Sequence, residues 1–207
     1  KQIKKSLIDC GNKEAKLIAE TGGLNAMVVD STALCEQVTR DVIDGAFKSA
    51  GQRCSALRIL LLQEDCYEEA ITMMKGAMRE IGFGDPKYLD IECGPVINLA
   101  AQIKLQNYID KARQNNQIIY ELDSQSKNGY FVSPTLIRIE SMDEINEEFF
   151  GPILHVLSYK NDDLEKTIDQ LNSKGFGLTF GIHSRIEKKV KDISLRVNAG
   201  NIYINRN

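Results

Sequence analysis

Long apolar stretches are missing from this sequence. No run reaches 18 residues, so no helix is expected to cross a bilayer. Positive charge is not in excess either. A formal net charge of -3 leaves no basic face for nucleic acid or an anionic membrane. The opening residues, from Lys1 to Ser6, contain neither an initiator methionine nor an apolar signal core. They are read as neither a signal peptide nor a natural start, and a piece of a larger chain is expected. The five cysteines (Cys10, Cys35, Cys54, Cys66, Cys93) are odd in number and form no C-x-x-C pair, nor is there a second cysteine or histidine at metal spacing. That argues against a disulfide framework and a zinc site, so no metal is expected, and reduced thiols in a cytoplasmic setting fit better. Gly82-Phe83-Gly84 and Gly175-Phe176-Gly177 do not make a G-x-G-x-x-G phosphate cradle, and no P-loop is present. Histidine is scarce, with only His155 and His183.

What the sequence does contain is ordinary for a globular protein of 207 residues, 43% apolar and 27% charged, long enough for one large domain or a domain plus a remnant of another. Strand and helix signals alternate. Apolar runs over 16–19 and 26–29 lead to Asp30-Ser31-Thr32, where Asp or Ser could cap a helix over 34–50. Buried-strand density follows over 56–62, and Asp65 is placed as the cap of a helix to about 81. Leu105, Tyr108, Ile109 and Ala112 fall at helical spacing within 98–114. Strands are predicted over 118–121, 134–139, 153–159, 178–182 and 202–205, with helices over 162–172 and 186–195. Repeated βαβ alternation predicts an α/β fold with a mostly parallel sheet and flanking helices. With no repeat or linker in sight, the one boundary proposed lies near Gly22-Gly23.

Cys54 is the candidate nucleophile. It lies in a Gly-Gln-Arg-Cys-Ser loop between a helix and a buried strand, and Arg53 beside it supplies charge that favours a thiolate. A small residue filling a strand entrance is the bland alternative. Either histidine could serve as a base, though a structural role is the simpler reading of both. Glu20 closes a short apolar run just before two glycines, a place where open α/β sheets put functional groups, or else a solvated turn. Glu147 and Glu148 precede Phe150-Gly151-Pro152 and read equally well as a charged connection.

Glu20-Thr21-Gly22-Gly23, then Cys54 thirty-four positions after Glu20, then Glu148-Phe149-Phe150-Gly151-Pro152 resemble the three signature motifs of the aldehyde dehydrogenase superfamily, in order and near its spacing. The resemblance runs to the terminal Gly200-Asn201-Ile202-Tyr203-Ile204-Asn205. Within the superfamily, 19–27 and 46–58 look like the dehydrogenase module of bifunctional proline utilisation A proteins, which resembles delta-1-pyrroline-5-carboxylate dehydrogenase. The resemblance implies NAD-dependent oxidation of glutamate semialdehyde to glutamate in proline catabolism. Cys54 would attack the aldehyde carbon, giving a hemithioacetal whose oxyanion the Cys54 N–H helps to hold. Hydride transfer would leave a thioester, and Glu20 would activate the water that hydrolyses it. Glu148 would hold the nicotinamide ribose and Phe150 would pack beside the ring, with Thr21 and Gly22 at the cofactor. Ser55 would contact the substrate carboxylate, and Arg53 would add a favourable field near it. Residues 1–23 would be the tail of the NAD-binding domain and 24–207 the catalytic domain, incomplete at its end.

By the same resemblance, the adenosine pocket, a second oxyanion donor and a closing glycine-rich loop lie outside this chain, so the chain alone is expected to be inactive. FAD belongs only to a proline dehydrogenase half of the parent, which itself would be a homodimer or larger. Three other readings stay open. They are an aldehyde dehydrogenase for another small aldehyde, a non-catalytic dimerisation segment, and a cofactor-free cysteine hydrolase with a histidine close to Cys54.

Overall fold

The computed structural model describes residues 2–11, 14–17, 22–123, 129–175 and 177–206. An exposed helix α1 (Gln2–Asp9) buries none of its residues. Among the described residues, burial is first met at Gly23 and Leu24, and strand β1 (Ala26–Val29) is fully inside. The chain continues through α2 (Cys35–Phe47), β2 (Ile59–Gln63), α3 (Tyr67–Arg79), α4 (Leu99–Gln114), β3 (Ile118–Glu121) and β4 (Thr135–Arg138). It closes with β5 (Ile153–Tyr159), α5 (Leu164–Ser173), β6 (Thr179–His183), α6 (Glu187–Arg196) and β7 (Asn201–Ile204).

The seven strands form one sheet in the order β3-β4-β5-β2-β1-β6-β7. Every neighbouring pair is parallel except β3 with β4. Alternate side chains of the central strands feed two cores. Met27, Val29, Leu60 and Leu62 pack with residues of α2, α3 and α4. Ala26, Val28, Ile59 and Leu61 pack on the opposite face with residues of α5 and α6. Burial on both faces explains why Ile59-Leu60-Leu61-Leu62 is a continuous apolar run and not an alternating one. The α/β fold with a mostly parallel sheet and flanking helices is therefore as expected.

Several local expectations need correction. Helix α2 stops at Phe47, because Ser49, Ala50 and Gly51 all take left-handed φ values of 58°, 52° and 62°. Its N-cap is Leu34, with no side-chain bond. Asp30 instead accepts from the N–H and hydroxyl of Thr32, folding the turn on itself. Asp65 likewise caps nothing: a 3-10 turn (Glu64–Cys66) precedes α3, and the Asp65 carboxylate accepts from Gln63. Strand β2 starts three residues late, at Ile59. The signal over 98–114 is α4 with Asn98 as its cap, accepting from the Ala101 N–H at 2.9 Å. Residues 15–17 form no strand, and the rest of the apolar run before Glu20 lies outside the described residues.

Candidate active site

Parallel strands place all their amino ends on one edge of the sheet. The segments entering β1, β2, β5 and β6 therefore converge there, and they carry Gly22 to Asn25, Gly51 to Arg58, Glu148 to Pro152, and Gly177 to Leu178. Cys54 stands at this edge, exposed to solvent. Its loop is built by the left-handed turn at the end of α2. Two of the three residues in that turn carry a Cβ, a conformation that costs roughly 1–2 kcal/mol per residue. The third must be glycine. A Cβ on Gly51 would run into the carbonyl of Gly151, so the nucleophile loop and the Glu148–Pro152 segment touch backbone to backbone.

Several bonds hold the strained turn. The Gln52 amide donates to the Pro95 carbonyl at 3.1 Å and accepts from the Ile97 N–H at 2.8 Å. The Ser49 N–H donates to the Glu92 carbonyl at 3.2 Å. Behind the loop lies Arg58, a charged side chain only 1% exposed. Its Nη1 donates to the Gly51 carbonyl at 2.6 Å and its Nη2 to the Arg53 carbonyl at 3.1 Å. Nη2 also lies 3.6 Å from Glu148 Oε1, and the guanidinium sits 5.0 Å from the centre of the Phe150 ring. Burial pushes the Arg58 pKa down, and the Glu148 carboxylate opposes that shift. Asn25, 2% exposed, works from the other side. Its Nδ2 donates to the carbonyls of Cys54 at 2.7 Å and Ala56 at 2.9 Å.

The two glutamates before Phe150 part ways. Glu147 reaches out to Lys104, whereas Glu148 turns inward, and its Oε1 is buried without a hydrogen bond among the described residues. The Glu148 carboxylate occupies the space that a side chain at Gly22 would need. Phe149 stacks on Tyr108 at 4.0 Å in the core, while Phe150 stays 44% exposed. Arg53 and Ser55 line a cleft of about 240 Å³ that continues over Thr179, Gly181, Tyr203 and Arg206. The Arg53 guanidinium donates to the Asp44 carbonyl of α2 at 3.0 Å. Glu20 and Thr21 lie outside the described residues.

Neither histidine is available to Cys54. The His155 Nδ1 bonds the Arg58 carbonyl at 3.0 Å and its Nε2 pairs with the Tyr108 hydroxyl at 2.9 Å. With a carbonyl facing Nδ1, that nitrogen carries the proton and Nε2 accepts from tyrosine. Burial pushes the His155 pKa down to about 4. His183 sits at the far end of β6, on the opposite sheet edge, facing Asp41 at 3.3 Å. No base is left for a cysteine hydrolase among the described histidines.

A profile of the aldehyde dehydrogenase family matches residues 1–207, the entire chain. The chain belongs to the aldehyde dehydrogenase family. Among other members, it is 44% identical to the bifunctional protein PutA of Klebsiella aerogenes over 98% of its own length. It spans only 16% of that relative. Proline utilization A of Bradyrhizobium japonicum superposes with a TM-score of 0.88 at 44% identity, over 93% of this chain and 20% of that one. A 1-pyrroline-5-carboxylate dehydrogenase from Thermus, solved with bound NAD, superposes with a TM-score of 0.81 at 28% identity, over 90% of this chain and 36% of that one.

In this aldehyde dehydrogenase segment the geometry joins two of the three signatures directly, since Gly51 abuts Gly151 and Arg58 faces Glu148. It ties in the end of the third through Gly22. Asn25 and Arg58 lie within the stretches that carry the resemblance but had no role in the sequence reading, although each left a signal. Asn25 interrupts Leu24-Asn25-Ala26-Met27 and Arg58 interrupts Leu57-Arg58-Ile59-Leu60, and a polar group inside such a run must find partners to be tolerated.

Proposed function

We propose that this chain supplies the catalytic part of an enzyme that oxidises glutamate semialdehyde to glutamate with NAD, in proline catabolism. The observation that carries the reading is the meeting, on one sheet edge, of a solvent-open Cys54, a cleft flanked by Arg53 and Ser55, and a buried Glu148 carboxylate oxygen that pairs with Arg58 at 3.6 Å yet receives no hydrogen bond among the described residues. Glu148 suits a ribose: its Oε1 receives no hydrogen bond among the described residues and a hydroxyl could supply one, and Gly22 leaves the carboxylate room. Phe150, backed by Arg58 on one side and exposed, offers a flat apolar surface for the nicotinamide. Thr21 and Gly22 would lie beside it. Bound NAD supplies the hydride acceptor.

The Cys54 thiolate forms the bond to the aldehyde carbon, and the charge passing to the aldehyde oxygen is met by the Cys54 backbone N–H. Loss of hydride leaves a thioester on Cys54, and Glu20 takes the proton from the water that cleaves it. Arg53 and Ser55 would hold the substrate carboxylate in the cleft, which favours a semialdehyde bearing an acid over a plain aldehyde. Residues 1–23 would close the NAD-binding domain, with 24–207 the catalytic domain. The exposure of α1 and the burial of Gly23 and Leu24 support that division. The free thiols suit a reducing cytoplasm. We further propose a bifunctional parent, a homodimer or larger, whose FAD sits in its proline dehydrogenase half.

The test is NADH formation by the full-length protein, offered glutamate semialdehyde or propanal, with Cys54→Ala alongside. A strong preference for the semialdehyde, abolished in C54A, is expected. Equal rates on both aldehydes would discard the substrate, and turnover surviving in C54A would discard the mechanism.

A further inference from the structure

The two buried polar side chains behind Cys54 take hold of consecutive carbonyls. Arg58 Nη2 donates to the Arg53 carbonyl at 3.1 Å, and Asn25 Nδ2 donates to the Cys54 carbonyl at 2.7 Å. Each anchor is itself tied elsewhere. Asn25 Oδ1 accepts from the Thr179 N–H at 3.0 Å, and the Asn25 carbonyl accepts from the N–H groups of Arg58 and Ile59 at 2.9 and 3.1 Å. Arg58 grips the Gly51 carbonyl with its other arm. A trans peptide is planar, with its N–H opposed to its C=O. Fixing the Arg53 carbonyl therefore fixes the Cys54 N–H, and fixing the Cys54 carbonyl fixes the Ser55 N–H. Both carbonyls point inward at buried anchors, so both N–H groups point away from them, toward the open side of the loop. Among the described residues, neither N–H has an acceptor.

We propose that Asn25 and Arg58 are positioning residues that aim the Cys54 and Ser55 N–H groups at the oxygen on which charge develops when Cys54 attacks a carbonyl. The inference rests on Cys54 being the nucleophile, but not on the identity of the aldehyde. Pre-aimed donors stabilise a transition state without reorganising during the reaction, whereas donors in a loosened loop must be fixed at that moment. The left-handed turn before Cys54 makes the clamp necessary, because without partners the strained backbone would relax.

Two reagents separate aiming from mere folding. p-Nitrophenyl acetate acylates a thiolate through a tetrahedral oxyanion: the C–S bond forms, the C–O bond breaks, and p-nitrophenolate leaves. Iodoacetamide alkylates the same thiolate by displacing iodide, with no oxyanion. Both need the thiolate, so the ratio of their rates at Cys54 cancels any change in thiolate fraction. The full-length protein would be compared with Asn25→Leu, Arg58→Met and Arg58→Lys. Acylation is followed by the nitrophenolate burst and alkylation by mass spectrometry of the Cys54 peptide.

The acylation-to-alkylation ratio is expected to fall about tenfold to a hundredfold in N25L and R58M, short of the loss seen on deleting an oxyanion donor outright. R58K is expected to lie between them and wild type, since one ammonium cannot span two carbonyls as a guanidinium does. An unchanged ratio in the folded variants would overturn the proposal, as would both rates falling together. Should N25L and R58M fail to fold, R58K decides by the same ratio. A wild-type Cys54 that the ester does not acylate overturns both this inference and the nucleophile. A shifted ratio in a protein that ignores glutamate semialdehyde keeps the clamp and discards only the substrate.

Discussion

Five free thiols in one chain provide an internal comparison of what environment does to a cysteine. Cys93 is buried in the core and its pKa is pushed up by burial to about 12. Cys66, half-buried, is pushed up to about 11, again chiefly by burial. Neither carries appreciable thiolate at neutral pH, and the thiolate is the reacting species. Cys54 and Cys10 are exposed. Brief iodoacetamide treatment at pH 7.5, read by peptide mass spectrometry, is therefore expected to modify Cys54 and Cys10 while sparing Cys66 and Cys93. Heavy labelling of Cys93 in the folded protein would contradict this core. Cysteine stands in five similarly ordinary places in the sequence, so burial could not be read for each in advance. The Gly-Gln-Arg-Cys-Ser context did single out Cys54. Gly51 is the sharper backbone case: in Gly51→Ala, the positive φ alone should cost about 1–2 kcal/mol, before the added collision with the Gly151 carbonyl. A urea midpoint unchanged from wild type would refute that turn.

Among the elements, β5 and α4 are joined to the nucleophile loop by a single imidazole. His155 on β5 bonds Tyr108 of α4 and the carbonyl of Arg58. Its pKa in the folded protein is about 4, against about 6.5 for an unburied histidine. Between those values the unfolded chain binds a proton that the folded one refuses, so stability falls as pH drops through that window and is fully present above it. The shift corresponds to roughly 3 kcal/mol at the acid end. His183, pushed down by burial although the neighbouring Asp41 carboxylate opposes the shift, acts in the same direction. Urea unfolding between pH 7 and pH 4 is expected to show this loss, with His155→Gln flattening part of it. A slope identical in H155Q would remove His155 as its source. Strand and helix periodicity placed β5 and α4 well from the sequence, since both carry strong apolar patterns. The C-terminal end of α2 and the start of β2 depart from the sequence expectation. The first is set by contacts of Ser49, Gln52 and Gly51 with Glu92, Pro95 and Gly151, and the second by the Asn25 carbonyl, which accepts from the Ile59 N–H.

For the molecule as a whole, the site is an edge phenomenon. Parallel pairing brings the amino ends of β1, β2, β5 and β6 together, and the candidate residues come from segments as far apart as Gly22 and Tyr203. Glu148 keeps a buried oxygen without a hydrogen bond among the described residues, and the Arg53–Ser55 cleft is open. On the proposed reading, the cofactor and closing segments would lie on other parts of a longer protein, and the site in this chain would not complete the reaction alone. The isolated 207-residue chain is accordingly expected to give no NADH from glutamate semialdehyde under conditions in which the full-length protein does. Measurable turnover by the chain alone would sink that expectation.

The sequence by itself determined the α/β alternation, the apolar strands buried on both faces, the identity of Cys54 as the cysteine to watch, and the three motifs that resemble the aldehyde dehydrogenases. These are local or periodic properties, carried by neighbours in the chain. The tertiary structure alone decided which glutamate of Glu147 and Glu148 turns inward, that both histidines are committed elsewhere, and that Asn25 and Arg58 hold the nucleophile loop from behind. Apart from the short-range grip of Arg58 on Gly51 and Arg53, each of those depends on a distant partner, 29 residues away in the Asn25 to Cys54 bond and 97 in the His155 to Arg58 bond. No spacing rule reaches that far, because it is the packing of the sheet that brings such partners within hydrogen-bond distance.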